Sequence, residues 1–206
     1  MAAVAKSTER PLTALDVIYG RRSVRSYART PLDASTIRAL LDAAVQAPTA
    51  VHEQPWLFVV VEARQVLAYI SDHVKALLSP EAPAARGDAA GEAAAVHGAF
   101  RERLEDPAFD LFYEAPALVV ICARHPNPFV IADCWLAAEN LMLAATALGL
   151  GSCCIGAATR ALNSPEIKTL LSMPADVHAI APIVVGIPAG TVAPVPRREP
   201  EIISWR

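Results

Sequence analysis

Charge is scarce in this sequence: 19% of its 206 residues are Asp, Glu, Lys or Arg, and the formal net charge is −3. Without a strong basic field, neither nucleic acid nor a membrane surface is an expected partner. The chain also lacks a glycine-rich phosphate loop, since neither GxGxxG nor GxxxxGK followed by Ser or Thr occurs. We therefore expect no dinucleotide cradle and no nucleoside triphosphatase site.

Cysteine is also scarce, and Cys122, Cys134, Cys153 and Cys154 show none of the CxxC spacings of zinc sites. Two of them are adjacent, and vicinal cysteines rarely form a disulfide. A chain of this size does not depend on a disulfide framework, so we expect a reducing, cytoplasmic environment. No metal site is predicted.

No long apolar run is free of polar interruption. The first twelve residues lack the continuous apolar region of a signal peptide, so export is not expected. The most apolar stretch, Ile131 to Gly151, contains Asp133, Glu139 and Asn140, which would be costly in hydrocarbon. This stretch is expected to form a buried helix and not a membrane span.

What is present is enough apolar sequence for one large core, because 54% of the residues are hydrophobic. We predict a flexible arm over residues 1–11 and a single α+β domain over residues 12–206. Spacing and capping residues predict helices at 13–19, between Asp33 and Pro48, and at 65–78, 129–148 and 164–171. Short β-branched runs predict strands at 56–62, 117–123, 151–156 and 178–189, the first covered on both faces.

Two segments have too little apolar content for a core. Residues 79–99 are rich in alanine, with glycine and proline interspersed. Because little here offsets the entropy of ordering, we predict an insertion or a mobile lid over residues 79–104. The proline-rich residues 191–206 are predicted to form a C-terminal arm.

The strongest local signal for chemistry is the segment Arg21, Arg22, Ser23, Val24 and Arg25. Guanidinium groups match phosphate oxygens bidentately, and a hydroxyl adds a directional donor. Together with the pair Arg197–Arg198, this segment is suited to one compact dianion, such as the phosphate of a cofactor. The alternative is a solvated basic turn.

Two further segments combine stiff or open backbone with polar groups. Residues 47–56, APTAVHEQPW, form a proline-bounded polar loop, for which the alternative is an ordinary helix-to-strand connection. Residues 148–156, LGLGSCCIG, have glycines that let the backbone approach a planar ligand closely. The alternative there is a helix cap followed by a tight turn.

The ordered set of segments resembles the nitroreductase family of flavoproteins. RRSVRSY, the loop AP-T-A-V-H-E-QPW, ALGLGSCCIG, APIVVGIPA and RREPEIISWR occur in the family's order, over almost all of residues 12–206. The resemblance implies a nitroreductase-like α+β fold with a central, mainly antiparallel mixed sheet flanked by helices. It also implies a homodimer that exchanges its C-terminal arm and binds FMN at two interfacial sites, with NADH or NADPH as reductant in a ping-pong reaction.

The resemblance also implies roles for individual residues. Arg21, Arg22, Ser23 and Arg25 would hold the FMN phosphate, the ribityl chain and the N1/O2 edge. Pro48, Thr49, Ala50 and His52 would reach the FMN held mainly by the other subunit, with Gln54 in the same loop. Ile155 and Gly156 would lie against the isoalloxazine, and Arg197 or Arg198 would close on the phosphate.

Some positions depart from the family pattern. The loop commonly reads P-S-S-x-N-x-Q-P-W, whereas this chain has Thr49, Ala50 and His52, which predicts the loss of one hydrogen bond to the flavin. Some members carry an acid where this chain has Ile155, so their substrate preferences do not transfer. No catalytic side chain is predicted, because in such enzymes the cofactor itself transfers the hydride.

The leading functional hypothesis is an FMN-dependent oxidoreductase that reduces nitroaromatics, quinones or a similar small planar acceptor. One alternative is a protein that stores FMN with little turnover, which the changes at Ala50 and His52 favour. Another alternative is a specialised relative, such as a flavin-destroying or dehalogenating enzyme.

Overall fold

A four-stranded sheet forms the centre of the computed structural model, which describes residues 12–78 and 98–206. The strands are β1 (Trp56–Val61), β2 (Ala117–Arg124), β3 (Gly151–Cys154) and β4 (Val177–Gly186), in the spatial order β1-β2-β4-β3. All three pairings are antiparallel. One isolated parallel bridge joins Ser23 to Ser152 beside β3. The predicted α+β class is confirmed.

Seven helices occur in the described part of the chain. They are α1 (Ala14–Gly20), α2 (Ala34–Ala44), α3 (Arg64–Leu78), α4 (Gly98–Glu105), α5 (Pro128–Ala147), α6 (Thr159–Leu162) and α7 (Pro165–Leu170). The predicted cap residues are present. Thr13 forms a capping box with Asp16, and the Asp33 carboxylate accepts the Thr36 N–H at 2.6 Å. Sequence patterning did not predict α4 or α6.

Two apolar clusters cover the two faces of the sheet. Because side chains alternate along a strand, Leu118 and Val120 of β2 face α3 and α6, whereas Val119 and Ile121 face α2 and α5. All four are fully buried. The prediction that the first strand is covered on both faces holds only in part, since Val60 of the edge strand β1 is exposed.

The long helix α5 is apolar on both faces, but only one face is buried. Cys134, Ala137 and Leu141 are fully buried against the sheet and α2, whereas Trp135 and Leu136 are 40% and 46% exposed. Within the described residues, α5 alone has the length and hydropathy of a membrane span. Its inward packing on the sheet identifies it as a core helix, as the sequence predicted.

The structure describes the predicted C-terminal arm in full and the predicted lid only in part. The N-terminal arm, residues 1–11, and most of the predicted lid, residues 79–97, lie outside the described residues. The remainder of the predicted lid falls within α4. Residues 191–206 are extended and exposed.

Candidate functional site

The basic segment is fixed to the sheet immediately after α1. The Val24 N–H donates to the Ser152 carbonyl at 3.0 Å, and the buried Tyr27 hydroxyl donates back to the Val24 carbonyl at 2.8 Å. Gly151 allows this close approach, because a Cβ there would lie 2.6 Å from the Val24 side chain. The arginines on either side of Val24 are therefore presented from a rigid backbone.

The three guanidinium groups of this segment have different surroundings. The Nε of Arg21 lies 3.3 Å from Oε1 of Glu139 on α5. Arg22 donates through Nη1 to the carbonyls of Tyr19 and Arg21 at 2.6 and 2.8 Å, which ties it to the end of α1. Arg25 instead lines a surface cleft.

This cleft has a volume of about 410 Å³, within the range of roughly 300–1,000 Å³ usual for small-molecule sites. Its inner wall comes from Arg25, the end of β3 and the first 3-10 turn after it, and its outer wall comes from α4 and the turn before β2. The lining residues are Arg25, Phe100, Arg103, Leu111, Tyr113, Cys153, Cys154, Ile155, Gly156 and Ala157. Two of these described residues are cationic and none is acidic.

The cleft has the space and the donors that a planar anionic cofactor needs. A Cβ built on Gly156 would meet no atom within 4 Å, so the chain leaves open space at this position. Nearby on β3, the buried Ser152 Oγ has no hydrogen-bond partner among the described residues. Ser152 does not line the cleft, because its cross-strand neighbour Val185 belongs to the apolar cluster on the other face of the sheet. The residues that do line it, with an open glycine and two cations, fit FMN.

The two thiols that line the cleft are not activated. Burial raises the pKa of Cys154 to about 11. Burial also raises the pKa of Cys153, although the Arg25 guanidinium opposes the shift. Because the thiolate is the nucleophile, the raised pKa values make both thiols weak nucleophiles at neutral pH.

The polar loop before β1 has a strained backbone. Val51, His52 and Gln54 all have positive φ, at 46°, 59° and 47°. This conformation is uncommon outside glycine and is an outlier for a β-branched residue. Such strain persists where surrounding structure enforces it, and it clusters at functional sites.

Contacts within the loop and with α5 hold this conformation. The Ala50 N–H donates to the carboxylate of Asp133, a buried residue on α5, at 3.2 and 3.3 Å. The Gln54 N–H donates to Thr49 Oγ1 at 3.3 Å, and the Gln54 amide contacts His52 Nε2 at 3.0 Å. The loop is therefore preorganised, with His52 and Gln54 exposed.

The loop and the basic segment lie at opposite corners of the sheet. Ser23 lies beside Ser152 on edge strand β3, at the end of the sheet where β2 begins. The loop leads into Trp56 on the other edge strand, opposite Ala123 near the end of β2. Three strand spacings and six residues of strand separate these corners, which corresponds to on the order of 25 Å.

The structure thus brings together some of the predicted site residues and separates others. Arg25, Ile155 and Gly156 line one cleft, whereas Arg22 lines a separate pocket. Arg21 and Ser23 adjoin Arg22 in the sequence but line neither. Pro48, Thr49, Ala50, His52 and Gln54 form the distant loop. Arg197 and Arg198 lie in the exposed C-terminal arm.

Sequence reasoning missed four residues of the site: Asp133, Phe100, Arg103 and Tyr113. In the sequence, Asp133 argues only against a membrane span, and no local pattern singles out Arg103. The described residues contain no group of three or more His, Cys, Asp or Glu placed to hold a metal ion.

Comparison with known proteins gives consistent matches over most of the chain. The model of the nitroreductase family matches residues 18–188. A protein of Methanothermobacter thermautotrophicus with the assigned name NADH dehydrogenase/NAD(P)H nitroreductase is 31% identical over 180 residues, covering 85% of this chain and 77% of its own. A protein of Archaeoglobus fulgidus with the same assigned name is 29% identical over 179 residues and covers 84% of each chain.

A solved structure matches the fold as well as the sequence. The Bacteroides fragilis nitroreductase, crystallised with bound FMN, is 28% identical with a TM-score of 0.76, and the match covers 93% of this chain and 97% of that one. The family match spans well over half of the sequence. This chain belongs to the nitroreductase family.

Proposed function

We propose that the protein is an FMN-dependent oxidoreductase that takes reducing equivalents from NADH or NADPH and passes them to a nitroaromatic, quinone or similar small planar acceptor. The cleft carries the proposal: it combines Arg25 of the rigid basic segment with an open glycine, and it has no acid among its described lining residues. Bound FMN supplies the hydride and electron transfer, which no side chain here can perform.

The side chains bind and orient. In this proposal Arg21, Arg22 and Ser23 bind the phosphate and the ribityl chain, and Arg25 supplies the cation at the N1/O2 edge. Negative charge at that edge is stabilised by the Arg25 guanidinium and by backbone N–H groups near Gly156. A ping-pong order follows if donor and acceptor use the same open face of the cleft in turn.

We also propose that the active protein is a homodimer in which each site draws on both copies. Within one chain, Trp56 at the end of the loop and Ser23 of the basic segment are on the order of 25 Å apart, which favours a site that takes its loop from the other copy. Exposed apolar side chains offer an interface, and in a dimer the C-terminal arm would wrap the partner. These side chains are Leu15, Ile18, Tyr19, Phe129, Trp135 and Leu136, with Ile202, Ile203 and Trp205 in the arm.

Two measurements on the purified yellow protein test the proposal. Mass spectrometry of the heat-released cofactor is expected to show FMN, because the chain has arginine clusters for one phosphate and no pyrophosphate cradle. FAD, or no flavin, would contradict this. Anaerobic addition of NADH or NADPH is expected to bleach the flavin. If neither does, the reductase proposal fails and FMN storage becomes the better account.

A further inference from the structure

A second cation besides Arg25 lines the cleft. Arg103 of α4 lines the cleft together with Phe100. Its guanidinium carbon lies 4.4 Å from the centre of the Phe109 ring and 5.6 Å from that of Tyr113. Two aromatic rings therefore hold this guanidinium in place.

The mode of contact leaves the guanidinium able to bind an anion. A cation–π contact is electrostatic and forms no hydrogen bond to oxygen, so the N–H donors of the guanidinium remain for other partners. Among the residues the structure describes, Arg103 forms no ion pair. Its in-plane edge is the part that matches a carboxylate bidentately.

The aromatic support is itself rigid. The Asp110 carboxylate accepts the N–H groups of Phe112 and Glu114 at 2.9 and 2.8 Å. The Leu111 N–H donates to the buried Ser71 hydroxyl at 2.9 Å. These bonds hold a turn in which both Tyr113 and Glu114 have positive φ, so that the Tyr113 ring is presented by a preorganised backbone.

The charge around the cleft favours an anion. Glu114, the acid next to Tyr113, is paired with Arg29 at 3.0 Å and with Arg64 at 2.9 Å, so its charge is offset. The cleft itself has Arg25 and Arg103 and no acid among its described lining residues. With Arg25 assigned to the flavin edge, Arg103 is the cation that remains for a second ligand.

We propose that Arg103, held on Phe109 and Tyr113, is a specificity-determining residue that selects planar aromatic acceptors carrying a carboxylate. The inference rests on the proposed function, because it assigns the acceptor of that same site. The aromatic wall supplies apolar contact for the ring of the acceptor, and Arg103 fixes its charged end. This arrangement discriminates by charge between acceptors of equal shape.

Equilibrium binding tests this without any turnover. Calorimetric titration of the oxidised holoenzyme, without NADH or NADPH, compares 4-nitrobenzoate with its neutral counterpart 4-nitrobenzamide. The protein is expected to bind the carboxylate more tightly. In Arg103→Gln, the affinity for 4-nitrobenzoate is expected to fall by about tenfold, the effect of losing one charge-assisted contact, while that for the amide stays unchanged. Arg38→Gln, which removes an exposed arginine of α2, is the matched control and is expected to change neither affinity.

Two further observations complete the test. Arg103→Lys keeps the charge but loses the planar fork, so it is expected to retain part of the preference. The rates of flavin reduction by NADH and by NADPH are expected to be the same in Arg103→Gln and the parent protein. A loss confined to NADPH would show that Arg103 recognises the donor phosphate and would overturn the proposal.

Other outcomes separate the two proposals. Equal binding of both nitro compounds by the parent protein, or equal losses for both in Arg103→Gln, would overturn the role of Arg103 and leave the oxidoreductase proposal intact. A flavin that neither nicotinamide reduces would overturn the oxidoreductase proposal. The binding comparison would still report on Arg103 in that case, because it requires no reduction.

Discussion

The residues of the cleft divide into cations that attract a ligand and small residues that leave space for it. Arg25 and Arg103 are the two cations that line the cleft. Gly156 and Ala157 are the small residues that line it, shortly after β3 in the chain. The charges of the two arginines attract a ligand over several ångströms. A small residue affects only the ligand atoms that contact it. Substitution of a small residue therefore tests contact most sharply.

Gly156→Ala is the sharpest such substitution. The added Cβ meets no protein atom within 4 Å and Gly156 is not at positive φ, so the free energy of unfolding is expected to change by less than about 1 kcal/mol. If the flavin lies against this residue, FMN affinity should fall at least about tenfold. Fluorescence titration of the apoprotein with FMN measures it. An FMN affinity equal to that of the parent protein would remove Gly156 from the site.

The raised pKa values of the buried thiols predict that the free energy of unfolding depends on pH. Burial raises the pKa of Cys122 and of Cys134 to about 12, and that of Cys154 to about 11. Unfolded thiols ionise near pH 8.5, so above about pH 9 the unfolded chain releases protons that the folded chain retains. The free energy of unfolding should therefore fall as pH rises from about 9 to 11.

Urea unfolding at pH 8, 9 and 10 measures this slope. A variant with Cys122→Ala and Cys134→Ala is less stable at every pH but should show a shallower decline. An identical decline in both proteins would mean that the thiols are not its cause. A flat profile in the parent protein would contradict the buried, neutral state of these groups.

At the scale of elements, α5 connects the core to both halves of the candidate site. Its inward face packs on the sheet, Asp133 near its start holds the polar loop, and Glu139 near its middle pairs with Arg21. The outward face remains apolar and exposed. One helix thus sets the positions of the loop, the basic segment and the proposed interface.

Asp133 gives a test of how the loop is held. Asp133→Ala leaves the Ala50 N–H without its acceptor and should lower the free energy of unfolding by about 1–2 kcal/mol. It should also make the loop susceptible to limited proteolysis. Asp133→Asn keeps an acceptor oxygen and should retain most of the stability and the protection. Equal cleavage of the parent protein and Asp133→Ala would show that this bond does not restrain the loop.

Gly151 gives a test of how the basic segment is held. A Cβ at this position would lie 2.6 to 2.9 Å from three atoms of Val24. Gly151→Ala should therefore cost about 1–3 kcal/mol through overpacking. In the double variant with Val24→Ala, the clash is removed, and the combined loss should be smaller than the sum of the two single losses. Additive losses in thermal unfolding would mean that the two residues do not meet.

Local patterning predicted most elements because their signals are local. The caps at Thr13 and Asp33 and the β-branched run of β2 lie within single short windows of sequence. α4 was missed because its eight residues, GAFRERLE, are charged and have no clear apolar stripe. The hydrogen bond between Ala50 and Asp133 joins residues 83 positions apart, and no local pattern encodes it.

The family resemblance predicted site residues that local chemistry could not connect. The cleft around Arg25, Ile155 and Gly156 combines segments more than 120 residues apart, and it forms only when β3 is the edge strand beside Ser23. The aromatic support of Arg103 depends on a turn with positive φ at Tyr113 and Glu114, which no glycine marks in the sequence. Strained nonglycine backbone leaves no compositional signal.

At the scale of the whole molecule, the two halves of the site belong to opposite corners of one chain. The basic segment with its cleft lies beside β3, and the strained loop precedes β1. A two-fold dimer can bring the loop of one copy to the cleft of the other, and each such dimer then contains two composite sites. The proposed dimer therefore requires that each FMN is bound by residues of both copies.

FMN content of a mixed dimer tests this claim most directly. One subunit carries Arg21→Ala and Arg25→Ala, and the other carries His52→Glu and Gln54→Glu, all at side chains outside the core. Two differently tagged copies allow purification of the mixed species, in which one site combines both defects and the other has none. We expect little FMN in either variant homodimer and one FMN per mixed dimer. An FMN-free mixed dimer, or a flavin-loaded monomer at micromolar concentration, would contradict the shared site.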